Sequence, residues 1–359
     1  MKPFRTWVSI ISLLSIFLFF SQSANACTRN NHVRPADRAA DVVTKLFEKK
    51  NYRELNDLYS KYSSEKTATA DGISALSVCY KGISGSFNVC ANPSRANEEW
   101  AAHKAALMAW NKASPASNAP KFALALFDVD YAWYGRGGGY SSTVSDASRA
   151  LFASRMSSAK RQLDALANSG KDNPAWYSAM LSVGLAQGWP SEAVEALYEA
   201  AIKVDPYYIE IHYNLSEYYS SKWYGSEEQR YAAIDRATES TRERLGQTMY
   251  ARLHWTQPQS EDMFQPGRVS WERMKSGFDD YLGLYSENLT RANYADFACM
   301  ANDVKSLKQQ LDQLGGEVDL KAWGNETHYK YCATMAKNGE GAPKPQCYTA
   351  TETGEVFCQ

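Results

Sequence analysis

The segment SEAVEALYEAAIKVDP, residues 191–206, decides how this chain folds. Before its closing Asp205-Pro206 it contains no glycine and no proline, and alanine and glutamate dominate it, both strong helix formers. The proline ring drives the residue before it out of the helical region, so the helix stops at Val204. Three small side chains, Ala196, Ala200 and Ala201, are spaced to let neighbouring helices approach.

Outward from this segment the same scheme recurs. Asn173-Pro174 and Asp205-Pro206 each open a helix and stand 32 residues apart, close to the period of about 34 residues of tetratricopeptide repeats. Helices over 174–186 and 191–204 form one pair, and 207–221 with 227–245 the next, carrying Ala232, Ala233 and Ala237. Upstream, Ala39, Val42, Val43, Leu46 and Phe47 recur at helical spacing, followed after Asn51 by Leu55, Leu58, Tyr59 and Tyr62. Ser94 is placed to cap a helix through Trp110 that stops at Ser114-Pro115, and Pro120 opens an apolar run to Trp133. The pattern predicts further helices over 144–167, 271–286, 292–314 and 320–337, with strand signals confined to the last twelve residues. The expected fold is all-α: an irregular, tetratricopeptide-like array of αα-hairpins over residues 27–337, with a short disulfide-closed hairpin in 338–359.

Composition fits that reading. Of 359 residues, 44% are hydrophobic and 22% charged, which excludes a disordered tail, a collagenous repeat and a multi-span membrane protein. Lys plus Arg number 39 against 40 for Asp plus Glu, so no net field points toward nucleic acid or an anionic membrane. The unusual counts are 10 Trp, 23 Tyr, 13 Phe and 7 Cys.

Residues 1–26 read as an export signal. Lys2 and Arg5 precede an apolar run from Val8 to Phe20 that is short for a bilayer span, and Ala24-Asn25-Ala26 supplies the small residues a signal peptidase cuts after. The mature chain then begins at Cys27, and a periplasmic or secreted protein follows. The alternative is a lipoprotein anchored through Cys27, although the large aliphatic residue usual three positions before a lipidated cysteine is missing.

Export to an oxidising compartment makes the cysteines candidates for bridges. With Cys27 set aside, six remain, and sequence alone leaves fifteen connectivities. Short loops favour Cys79 with Cys90 and Cys347 with Cys358, each closure worth about 2–3 kcal/mol, which leaves Cys299 with Cys332 on two successive predicted helices. A zinc site needs thiolates in close pairs such as C-x-x-C, and none occurs. No cofactor motif is present either.

The most distinctive irregular element is YAWYGRGGGYSSTVSD, residues 131–146. It matches neither glycine-rich phosphate-binding pattern, G-x-x-x-x-G-K-[ST] or G-x-G-x-x-G. Its glycines break a helix, and Thr143 or Ser145 is placed to cap the next one. Arg136 nevertheless sits among exposed backbone donors, flanked by Trp133, Tyr134 and Tyr140, a grouping suited to a polar or anionic ligand. Trp133, Arg136, Gly137 and Tyr140, with Trp223 from the aromatic cluster at 218–224, are the candidate binding residues.

Catalytic patterns are weak. His32, His103, His212, His254 and His328 form no H-E-x-x-H, and no G-x-S-x-G elbow occurs. Asp128 and Asp130 lie in the apolar run upstream of the glycine loop, where burial can raise a carboxyl pKa, so a hydrolase using this pair near Arg136 is the competing reading. The bland alternative pairs them with Arg136 or with nearby backbone. Nine tryptophans follow the signal, spread over nearly every helix pair, a distribution that suits core filling.

Several stretches together resemble a bacterial family known as domain of unknown function 4034, whose members are exported or lipidated and tetratricopeptide-like. They are LNDLYSKYSSEKTATADGISAL, Trp110 followed by Ser114-Pro115-Ala116-Ser117, YAWYGRGGGY, DPYYIEIHYNLSEYYSSKWYGS, and NYADFACMANDVKSLKQQLDQLG leading to Trp323. The chain departs at Tyr224, where the family tends to carry a second glycine. The resemblance implies a fold and an exported location and, since the family has no assigned chemistry, no reaction. The expected function is therefore a scaffold or binding module of the cell envelope. Its partner is a protein or a small polar or anionic ligand, and it touches a membrane only if Cys27 is lipidated.

Overall fold

A computed structural model describes residues 34–85, 96–137, 143–256, 263–339, 347–349 and 356–358. The export signal, Cys27, Cys90 and Tyr140 fall outside the described residues. Helices dominate: α1 (Pro35–Glu48), α2 (Tyr52–Glu65), α3 (Ala75–Gly85), α4 (Ala96–Ala113), α5 (Ala119–Arg136), α6 (Asp146–Ala165), the single turn α7 (Ala167–Gly170), α8 (Pro174–Gln187), α9 (Ser191–Val204), α10 (Ile209–Tyr218) and α11 (Glu227–Leu245). There follow α12 (Thr248–Trp255), α13 (Trp271–Leu284), α14 (Asn288–Met300), α15 (Val304–Leu314), the short α16 (Leu320–Trp323) and α17 (Glu326–Asn338). Two three-residue strands, β1 (Cys347–Thr349) and β2 (Val356–Cys358), pair antiparallel and set Cys347 opposite Cys358 in register. Among the described residues, no helix is long and apolar enough to cross a membrane.

The described residues form two compact units rather than the single body expected over 27–337. One takes the chain up to Arg244 together with Thr256, and the other takes Leu245–Trp255 and the residues from 263 onward. Their cores are separate. The first unit is built around Trp110, Phe122, Leu163, Val183, Tyr198 and Ile211, and the second around Ala295, Ala298, Leu307, Trp323 and Met335.

In the first unit α8 is the central helix. Every residue from Pro174 to Leu185 is buried, as expected of a helix that is apolar on all sides, and it packs on α6, α9 and α10. Its two buried hydroxyls are engaged: Asn214 Nδ2 donates to Ser178 Oγ at 3.0 Å, and Trp133 Nε1 donates to Ser182 Oγ at 3.2 Å. Asn173 caps it by accepting from the Ala175 N–H, with Pro174 at its first turn. Buried Asn214, although part of an N-x-S sequon, is thereby held inside the fold.

Helix α9 has the bounds its sequence predicts. Its inward stripe is Val194, Tyr198 and Ala201, each large side chain contributing about 1.5–3 kcal/mol of burial. Of the three alanines expected at the close approach, Ala201 is buried and Ala196 faces solvent. Tyr198 reaches across to α10, where its hydroxyl lies 2.9 Å from His212 Nδ1. The other ring nitrogen, Nε2, lies 2.6 Å from the Pro206 carbonyl, which can only accept. The proton is therefore on Nε2, and the tyrosine donates to Nδ1.

Three further expectations change. Helices α3 and α12 were not foreseen. The run 292–314 splits at Asn302, whose φ of 58° ends α14, and Asp303 then caps α15 by accepting from the Ser306 N–H. The run 320–337 likewise breaks at Gly324, with Asn325 capping α17. The Cys299–Cys332 disulfide is present, and it joins α14 to α17 across the two intervening helices.

Cys79 contradicts the expected bridge to Cys90. It is a free thiol on the core face of α3, fully buried beside Tyr80 and Leu76, and burial pushes its pKa up to about 12.

Candidate functional site

Helix α5 is apolar from Phe122 to Trp133 because it lies inside the first unit, and it ends where the glycines begin. Gly137 closes it at a positive φ of 71°, which favours glycine, with its N–H on the Trp133 carbonyl. The last helical residue, Arg136, is thereby turned toward α6 and toward the turn after α10.

That turn is tight. The Tyr224 N–H donates to the Tyr218 carbonyl and the Trp223 N–H to the Ser220 carbonyl. At Gly225 a Cβ would stand 2.2 Å from the Tyr219 carbonyl oxygen, so only glycine fits. The turn fixes Trp223 inward and leaves Tyr224 46% exposed.

Arg136 meets three rings. Its Cζ lies 5.0 Å from the centre of Trp223, 5.8 Å from Trp133 and 5.9 Å from Phe152 of α6. The two indoles meet edge to face at 5.8 Å and 88°, and Phe152 packs on Trp133 at 4.9 Å. The indole nitrogens point away from the guanidinium and are held: Trp133 Nε1 donates to Ser182 as above, and Trp223 Nε1 donates to Glu217 Oε1 at 3.1 Å. Residues from α5, α6 and the α10–α11 turn are thus brought together as one box.

Behind Trp223, Glu217 lies 3.5 Å from Arg230 of α11, and both are buried. Arg230 is 4% exposed, yet its Nε and Nη2 make no hydrogen bond, and neither does Glu217 Oε2. Lys222 is pulled below the usual lysine pKa by burial, with Arg136 and Arg230 acting in the same direction and Glu217 opposing them. Burial also lowers the pKa of Arg136, while the neighbouring Tyr224 hydroxyl acts to raise it. Arg136, Arg230 and Glu217 thus all act on Lys222.

The sequence-derived candidates divide accordingly. Trp133, Arg136 and Trp223 converge; Gly137 shapes the end of α5; Tyr140 lies outside the described residues. Phe152, Glu217, Lys222 and Arg230 were missed. A signal for Arg230 was available, since it stands three, four and seven residues before Ala233, Ile234 and Ala237, which makes it a charge on an apolar stripe.

Asp128 belongs elsewhere. It is 1% exposed and accepts from Arg155 Nη1 at 3.2 Å, Ser158 Oγ at 2.6 Å and Gln162 Nε2 at 2.7 Å. Its ionic partner is Arg155 of α6, not Arg136, and its oxygens are occupied in joining α5 to α6. Asp130 lies two residues on, about 200° around the same helix, so the two carboxylates do not share a face.

A grouping with metal-ligand chemistry lies in the second unit, where Cys299, His328 and Cys332 bring donor atoms within 4.8 Å of one another while the two sulfurs are bonded to each other. No family model, curated protein or solved structure matches the chain.

Proposed function

We propose that the protein is an exported helical binding module of the cell envelope, cut after Ala26, and that the box around Arg136 takes a small polar ligand bearing negative charge. A sugar phosphate is the simplest member of that class. The observation that carries this reading is the convergence of Arg136 on the Trp133, Trp223 and Phe152 rings, with the cationic Lys222 and Arg230 close by. The cations favour an anion, and the indole faces suit the apolar face of a sugar ring.

The tetratricopeptide-like reading is supported by α8, which packs both on its own partner α9 and on α10, the first helix of the next pair. The resemblance to the family of domain of unknown function 4034 rests on the ordered motifs quoted above.

Thermal unfolding of the purified mature chain with glucose, inorganic phosphate or glucose 6-phosphate tests the binding site. Glucose 6-phosphate should raise Tm most, phosphate less and glucose not at all. Equal Tm with all three would contradict the reading. Intact mass of the mature protein checks the rest: a chain starting at Cys27 without diacylglycerol agrees with cleavage and release, and added lipid mass would place the protein on a membrane.

A further inference from the structure

A structural disulfide requires two cysteines and nothing more, yet each half of Cys299–Cys332 carries a second donor one turn away on its own helix. On α14, Asp296 precedes Cys299 by three residues; on α17, His328 precedes Cys332 by four. Both spacings put the two side chains on one helix face. The faces meet: His328 Nε2 lies 2.6 Å from Asp296 Oδ1 and 3.7 Å from Cys332 Sγ. Asp296 is 2% exposed, a buried carboxylate that accepts from His328.

We infer that in the reduced chain Asp296, Cys299, His328 and Cys332 form a tetrahedral zinc site, so that the disulfide and the metal are alternative states of one set of side chains. Two thiolates, an imidazole and a carboxylate make the mixed soft and hard set that suits Zn²⁺ better than a purely soft or purely oxygen-seeking ion. In tetrahedral zinc, ligand atoms stand about 3.3–3.8 Å apart, given Zn–S near 2.3 Å and Zn–N and Zn–O near 2.0 Å. The Cys332 to His328 distance already matches. Separating the sulfurs and turning the Asp296 carboxylate from His328 toward them completes the site.

The chemistry balances with a dithiol reductant. The dithiol gives two electrons and two protons to the Cys299–Cys332 bond, becoming a disulfide itself and leaving two thiols. Zn²⁺ then displaces both thiol protons and is bound by the neutral imidazole of His328 through Nε2, its ring proton on Nδ1.

The test uses the full mature chain, reduced with dithiothreitol, freed of it under argon and titrated with zinc against a chromophoric chelator. Wild type should bind one more zinc per chain than His328→Ala, and Asp296→Asn, nearly isosteric, should bind at that site at least tenfold more weakly. The other cysteines are present in every variant and cancel in the comparison. The unreduced chain should take no zinc there, and cobalt in the reduced wild type should show the intense bands of tetrahedral thiolate coordination. Equal stoichiometry and affinity in wild type and His328→Ala would overturn the inference. So would a reduced wild type that takes no zinc, whether it stays folded or unfolds.

Discussion

The guanidinium of Arg136 lies 5.0 Å from the centre of the Trp223 ring, joining the end of α5 to the turn after α10. Arg136 is only partly buried and stands beside the cationic Lys222, so its loss should cost the fold little. Arg136→Ala forfeits cation–π contacts worth about 0.5–1 kcal/mol and relieves repulsion of Lys222. Chemical denaturation should find a change within about 1 kcal/mol. Glu217→Gln is the opposite case. It leaves Arg230 buried beside no negative charge and should destabilise by about 3–5 kcal/mol. If Glu217→Gln proved as mild as Arg136→Ala, the description of the cluster would be wrong.

Asp128→Asn separates a structural carboxylate from a catalytic one. The variant weakens three contacts that tie α5 to α6 and should lower stability by about 2 kcal/mol, the Arg155 contribution being softened by partial exposure. Glucose 6-phosphate binding by the folded variant should be unchanged. An unchanged denaturation midpoint together with lost binding would place Asp128 in the functional site.

His212 makes stability depend on acid. Burial holds its pKa down at about 4 against an ordinary 6.5, with the Pro206 hydrogen bond opposing, so the folded chain keeps the ring neutral. The unfolded chain binds the extra proton between those values. Stability from this residue is complete above about pH 6.5, falls as pH drops toward 4 and changes no further below, a loss of about 3 kcal/mol. His103, also lowered to about 4 by burial, adds the same sign. Denaturation midpoints from pH 7 to pH 4 should fall less steeply in His212→Asn than in wild type; parallel slopes would remove His212 as a cause.

Cys79 should behave as a sealed thiol. With its pKa near 12 and no exposed surface, it should resist iodoacetamide in the native chain and react fully after denaturation. Peptide mapping that found Cys79 bridged to Cys90, or labelled in the native state, would contradict its placement.

Much of this architecture is legible in the amino-acid order. The bounds of α9 follow from helix formers closed by Asp205-Pro206, and the cap of α8 from Asn173-Pro174, because local chemistry settles those ends. The breaks at Asn302 and Gly324 were hidden inside continuous helical periodicity, where one residue at positive φ decides. Trp133, Arg136 and Trp223 could be named as a site because aromatic and basic residues cluster at each end. Phe152 and Glu217 could not, since their roles exist only once α6 and α10 pack nearby. Cys79 misled for a related reason: sequence distance suggested a short bridge, and only the direction of α3 shows that its sulfur faces the core.

The most direct measurement is calorimetric titration of the mature chain with glucose 6-phosphate, comparing wild type with Arg136→Ala and Trp223→Ala, and with glucose in place of its phosphate. The binding site described above requires saturable one-to-one binding of glucose 6-phosphate to wild type, at least tenfold weaker in either variant while circular dichroism stays unchanged, and no heat with glucose. Absence of binding to wild type, or equal affinity in all three proteins, would contradict it.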